Sequence, residues 1–435
     1  METFHVKPFI MLSERGHMEK TENIQPKYQN RTICIYFVME NYPTIIEDAF
    51  QFRLYIDEMI VKFPELFPSN ISEGYRMKDS YTSKKLSVTV RRIDVSGVFY
   101  TIRPSFVMPY MTAMTEDVKL PLFYRKFDVP FWAITAGFGR DDMYWYRMVA
   151  SLGRNSIVGT TVKHAENLPE HVIFDEKHSS IRGEKVYVPT TVANECILGV
   201  AIADSAGEED LEEAYGKFKK EAQNIDPTYA PESGNTDGWK ATQNALKSLF
   251  PKIRLILCFL HLYISIRDRT KMKFKDIFHE VASKLWDCYN AESKSSFSQR
   301  VRRFYEWGKK VSLPSVIFKK IEKLRNNVHA YSVAYDLPGC YRVNTMSDRL
   351  MRRMNRHLFN TQYFHGFTSS AELNIRGWAL IMNFAPSNPI TVKKYEGLQS
   401  PAERLNQFRY HDCWLQNLLI SASMGGLRSP PQNPL

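Results

Sequence analysis

The spacing of apolar residues divides the chain into stretches of different kind. Residues 33–39 (ICIYFVM) and 86–100 (LSVTVRRIDVSGVFY) are rich in β-branched and aromatic side chains, which suits strands. Residues 127–135 (FDVPFWAIT) predict a short helix ending near Gly137. Asp141 and Asp142 then give an acidic first turn to a helix running through Tyr144, Met148, Val149 and Leu152. Gly153 stops it, and Asn155 and Ser156 can cap a third helix, SIVGTTVK. Three short helices with a glycine turn before the last fit a helix-turn-helix, whose final helix enters a major groove. A small helical linker gives the same pattern.

From His171 the period changes. HVIFD is an apolar run ending in an acid, EKVYVPTTVA alternates like a half-buried strand, and CILGVAIAD reads as a strand covered on both faces. Residues 208–222 form a charged amphipathic helix. After the Pro/Gly/Asn-rich stretch 226–238, WKATQNALKSLF predicts a helix and KIRLILCFL a strand. Strands first, then helix and strand in alternation, predict an α/β fold with an RNase H-like mixed-sheet core. Beyond Arg267 the chain becomes helical, basic and aromatic to about Ala334, with Trp286, Phe304 and Trp307 at core positions. The expected organisation is an N-terminal region (1–110) of unassigned role and a helix-turn-helix-like segment (111–168). An α/β domain (169–390) with an all-helical insertion at about 266–340 follows, then a C-terminal tail (391–435). Trp239 and Trp378 read as core.

Composition narrows this little. The 435 residues are 44% hydrophobic and 24% charged, an ordinary globular balance, with a net charge of +11. The distribution of charge says more: residues 264–360 hold 21 Lys/Arg against 9 Asp/Glu, and residues 166–232 hold 6 against 15. Solvated helix faces produce such runs. So does an enzyme with carboxylates for metal ions and cations for phosphates. Six scattered cysteines without a CxxC pair suit a reducing compartment and neither a zinc ribbon nor a disulfide scaffold. The N-terminus lacks an apolar signal core, and the most apolar run, 253–266, is too short to span a bilayer. A cytoplasmic protein is expected.

Three acids stand out by position. Asp175 ends the first α/β strand, where ligands of open sheets gather. Asp237 lies in the turn SGNTDGWK, where Gly234 and Gly238 free the backbone, and Asp348 opens the helix NTMSDRLMRRMNRHLF with Ser347 as its cap. Phosphoryl transfer with divalent ions needs a few carboxylates converging on one site, and three suffice for Mg²⁺. Taken singly, each acid reads equally as a turn or helix cap. Cys258 and His261 (CFLH) follow the strand after Asp237. They form half a zinc site at most, and a buried Cys beside a satisfied core His is the simpler reading. Arg349, Arg352, Arg353 and Arg356 surround Asp348, as a DNA contact or as a solvated face. Glu176 should point away from Asp175, His178 reads as a loop residue, and Glu372 competes with Asp348 as third acid.

These segments, IFDEKHSS, SGNTDGWKATQNALKSLFP, CFLH and NTMSDRLMRRMNRHLFNTQYFHG, resemble the catalytic region of DDE/D-type DNA transposases. The likeness is to members with a Cys-x2-His after the second acid and a helical insertion before the third, as in Mutator-like elements and bacterial relatives. It covers roughly residues 171–384. It implies Asp175, Asp237 and Asp348 as metal-binding triad, Cys258 and His261 as accessory pair, Mg²⁺ or Mn²⁺ as cofactor, double-stranded DNA as substrate and a homo-oligomer on that DNA. The third acid is Asp where Glu is more common, so its helix must approach more closely. An RNase H-like endonuclease without strand transfer, or a non-catalytic DNA-binding derivative, would carry the same segments.

Overall fold

The computed structural model describes residues 31–270, 274–364 and 366–428. The N-terminal stretch read for a signal, the Ser/Pro tail from residue 429 and His365 lie outside them. The chain is mixed α/β, built around two sheets. No helix of the described residues is long and apolar enough to cross a membrane.

The first sheet contains β1 (Thr32–Ile35), β2 (Arg76–Ser83), β3 (Val88–Val95) and β4 (Val98–Pro104), with α1 (Tyr42–Glu47) and α2 (Ala49–Lys62) between β1 and β2. Its order is β1-β4-β3-β2, with β1 parallel to β4 and the others antiparallel. Of the 86–100 stretch, residues 88–100 fall on β3 and β4 and the turn between them, whereas of the 33–39 stretch only residues up to Ile35 are strand.

Four helices follow: α3 (Thr115–Arg125), α4 (Phe131–Phe138), α5 (Asp142–Leu152) and α6 (Ile157–Thr161). The expected Ser156 cap forms, accepting from the amide of Gly159, and Asp141, expected in the first turn of α5, instead precedes it as a cap that accepts from the amide of Tyr144. The helix-turn-helix expectation is not confirmed at α6. That helix is five residues long and every one is buried against its neighbours, so it has no face left for a DNA groove. Gly153 is needed for a close approach: a Cβ there would lie 1.9 Å from the carbonyl oxygen of Leu373.

The second sheet comprises β5 (His171–Ile181), β6 (Glu184–Ala193), β7 (Cys196–Val200), β8 (Ser233–Thr236) and β9 (Arg254–Leu257), with α7 (Glu208–Gln223) after β7 and α8 (Lys240–Leu249) after β8. The order β7-β6-β5-β8-β9 joins an antiparallel meander to two parallel strands. β6 is buried along its last eight positions instead of alternating, because helices cover both faces of the sheet.

Between β9 and the next long helix the chain is helical: α9 (Phe259–Thr270), α10 (Lys275–Tyr289), α11 (Lys294–Lys310), α12 (Ser315–Asn326) and α13 (Val328–Ser332). They share a core of their own, including Phe259, Leu285, Phe304 and Ile321. The insertion thus begins about two turns earlier than expected. Then come α14 (Thr345–Asn360), α15 (Thr368–Phe384), α16 (Pro389–Lys394), α17 (Pro401–Asn406) and α18 (Trp414–Ser421). α7 and α8 cover one face of the second sheet, while α14 and α15 cover the other and share a continuous core with the first sheet. The expected C-terminal tail is corrected too. Every residue of α18 is buried, and Ser423 accepts from the amide of Cys34 while donating to the carbonyl of Leu66.

Candidate active site

The strand register brings the first two acids together. Ile173 of β5 pairs with Asn235 of β8, which pairs with Ile256 of β9. Two residues further along each parallel strand, the same level holds Asp175, Asp237 and Cys258. Neighbouring strands lie about 4.8 Å apart, so the three residues stand abreast at the carboxyl edge of β8 and β9. Asp175 does not end its strand, since β5 continues to Ile181 paired only with β6. It sits where parallel pairing stops.

β8 is the strand the sequence hides. Its four residues, SGNT, are small or polar yet wholly buried. A Cβ on Gly234 would lie 2.8 Å from the ring of Phe174, so close packing, not backbone freedom, selects glycine there. Gly238 has φ +91°, and at this position the turn does need it. Asp237 closes that turn by accepting from the amide of Trp239 at 2.8 Å, leaving its side chain exposed. Trp378 is fully buried and Trp239 partly so.

Asp348 arrives from the first turn of α14. Ser347 does not cap the helix: its hydroxyl donates to Asp175 Oδ2 at 3.0 Å. Asp175 Oδ1 accepts from the amide of Glu176 at 3.0 Å, and Asn344 Nδ2 approaches Oδ2 at 3.4 Å. Burial pushes the Asp175 carboxyl up to about 6, with the charges of Asp348 and Asp237 adding and His261 and Ser347 opposing. Burial likewise raises Asp348, against His261 and Arg352. Asp237 and Asp348 thus both act on Asp175, and among the described residues none of the three forms an ion pair with Lys or Arg.

The remaining residues divide. Cys258 lies between β9 and α9, and His261 in the first turn of α9; both touch Asn344, a residue the sequence reading passed over. Glu176 points to the opposite face, where Tyr215 and Thr242 donate to it, each at 2.6 Å. His178, expected in a loop, lies on β5 with its ring tilted against that of Tyr187, centroids 4.8 Å apart. Glu372 is on α15 and binds Lys217 at 2.7 Å, away from the edge. Arg349 and Arg352 are exposed. Arg356 is exposed too, with its Nε 3.1 Å from the buried Asp128 carboxylate, and Arg353 acts on the same Asp128 and on Lys126.

The donors fit a hard divalent ion: three carboxylates, none of them paired with a Lys or Arg among the described residues. They are not closed into a cage. Among the described residues, only Glu170, His171 and Glu232 bring three potential ligand atoms within 4.8 Å of one another. Both His171 nitrogens there are engaged, by Ser233 Oγ and the carbonyl of Pro338, and Glu232 pairs with Arg254. No protein-family model matches the sequence, and no curated protein matches it.

Proposed function

We propose that the chain is a metal-dependent polynucleotidyl transferase acting on double-stranded DNA, a DDE/D-type transposase with Asp175, Asp237 and Asp348 as its catalytic carboxylates. One observation carries this reading. The acids of the β8 turn and of α14 both act on the buried Asp175 of β5, and none of the three has an ion-pair partner among the described residues. Structural acids are normally paired when partly buried. The sheet order, an antiparallel meander followed by two parallel strands reached through α7 and α8, agrees with an RNase H-like core.

Divalent ions such as Mg²⁺ or Mn²⁺, held by these carboxylates, would supply the Lewis acidity that phosphodiester cleavage requires. Asp175 is the member fixed in place, its carboxylate held by the Glu176 amide and the Ser347 hydroxyl. Asp237 is presented on a tight turn and is the accessible member. Asp348 rides on α14, whose exposed Arg349 and Arg352 offer cations to adjacent phosphates. Exposed Arg302, Arg303, Lys309 and Lys310 extend the basic surface along α11. Joining two DNA ends calls for at least two copies of the chain, acting in the cytoplasm of a cell carrying the element.

The test uses the full chain with DNA from both flanks of its gene, a target plasmid and Mg²⁺. Cleaved and joined products are expected from the unaltered protein. Asp175→Asn and Asp237→Asn should each lose both products while retaining DNA in a mobility-shift assay. Full activity in either variant overturns the assignment. Cleavage without joining would make the protein a nuclease, and DNA retention without cleavage a binding protein.

A further inference from the structure

Asn344 connects every element of the site except the β8 turn. It precedes α14, is 1% exposed, and its side chain does not cap the helix. Its Oδ1 accepts from the Cys258 thiol at 3.0 Å, and its backbone N–H donates to the same sulfur at 3.3 Å. Its Nδ2 lies 3.4 Å from Asp175 Oδ2 and 3.3 Å from His261 Nδ1. An amide nitrogen carries two N–H donors and accepts nothing. Both contacts are therefore donations; in the neutral ring, the form that can accept at Nδ1, the proton of His261 sits on Nε2. The reversed amide would turn Oδ1 against the Asp175 carboxylate.

We propose that Asn344 is a positioning residue, and that the Cys258 thiol is the clamp that fixes which way its amide faces. With Cys258 on Oδ1, the two N–H groups go to Asp175 and His261, setting the angle of one carboxylate and the tautomer of one imidazole together. The Cys-x2-His spacing follows from this. Cys258 at the end of β9 and His261 in the first turn of α9 reach the same amide from two sides. Ser347, three residues along α14, adds its hydroxyl to the same carboxylate oxygen. The proposal rests on the reading of Asp175 as a metal-binding carboxylate. Hydrogen-bonded partners of metal ligands typically contribute about 10- to 100-fold in metal affinity.

The experiment has two readouts on the full chain: Mn²⁺ affinity by calorimetric titration, and the ¹⁵N signature of the His261 ring without metal, assigned with His261→Gln. Asn344→Ala should weaken Mn²⁺ binding about tenfold or more and replace the single Nε2–H signature by exchange between the two ring tautomers. Cys258→Ser keeps a donor in place and should retain both properties, whereas Cys258→Ala should shift both toward Asn344→Ala. If Asn344→Ala does not fold, the two Cys258 variants carry the comparison. Unchanged Mn²⁺ affinity in Asn344→Ala, a proton on Nδ1 of the neutral ring in the unaltered protein, or equal impairment by Cys258→Ser and Cys258→Ala overturns the proposal. If the unaltered protein takes up no Mn²⁺, the functional reading fails, while the His261 signature still decides the clamp.

Discussion

Two parts of the molecule gather partly buried acids and treat them oppositely. At the seam between α6, α7 and α15, Glu221 accepts from Ser156 Oγ and the amides of Ile157 and Val158, and it pairs with Arg376. Every oxygen is used and the charge is neutralised. At the carboxyl edge of β8 and β9, Asp175 and Asp348 are raised by burial and Asp175 further by neighbouring acids, with Ser347, His261 and, for Asp348, Arg352 opposing but no Lys or Arg ion-paired to either. The seam is built to be stable as it stands. The edge is left negative, and that asymmetry is the physical reason to look there for chemistry.

The comparison breaks most visibly at Glu221. Glu221→Ala strips the N-terminus of α6 and leaves the buried Arg376 guanidinium unpaired, an effect of about 3 kcal/mol or more. A large fall in the denaturant midpoint of the full chain is expected. A small one would mean that the seam charges are solvated.

Lys126 sharpens the contrast from another direction, as a cation held in the interior. It is 5% exposed and donates to the carbonyls of Ala385 and Pro386 beyond the end of α15. Burial pushes its ammonium down to about 7 from 10.5, with Arg353 and Arg404 adding. Between those pH values the unfolded chain binds the proton and the folded chain does not, so stability rises with pH across the window. Lys126→Met should flatten that rise and stabilise the protein at neutral pH by about 2 kcal/mol, read from melting at several pH values.

At the edge the sign reverses relative to Glu221. Asp175→Asn keeps the shape and removes a desolvated charge that faces two others. In chelator-containing buffer it should raise stability by about 1 kcal/mol, although it removes activity under the proposed function. Destabilisation would show that the carboxylate is structurally satisfied.

What could be read from the sequence depended on how local the cause was. The β-branched strands β3 and β4 and the cap Ser156 announce themselves within a few positions. β8 does not, because SGNT is chosen by Phe174 on the adjacent strand and not by strand propensity. The acids and the Cys-x2-His were visible as a pattern, but Asn344 lies 86 residues from Cys258 and only the fold makes them neighbours. Nor could α6 be separated from an exposed groove-reading helix. Its burial comes from α7, α15 and β7 packing around it, and those contacts leave no periodic mark in five residues.

The smallest effect separates the two candidates for the third acid. Asp348 and Glu372 both sit near the start of a helix covering the same face of the sheet, but Glu372 is bound to Lys217 with both side chains partly in solvent. Such pairs contribute about 1 kcal/mol or less. Glu372→Gln should change stability within that range and leave Mn²⁺ affinity unaltered, whereas Asp348→Asn should weaken Mn²⁺ binding without loss of stability. The arrangement makes the two variants each other's control. If Glu372→Gln were the one to lose metal, the paired acid would be the functional one and charge compensation would have to be abandoned as the criterion that distinguishes seam from edge.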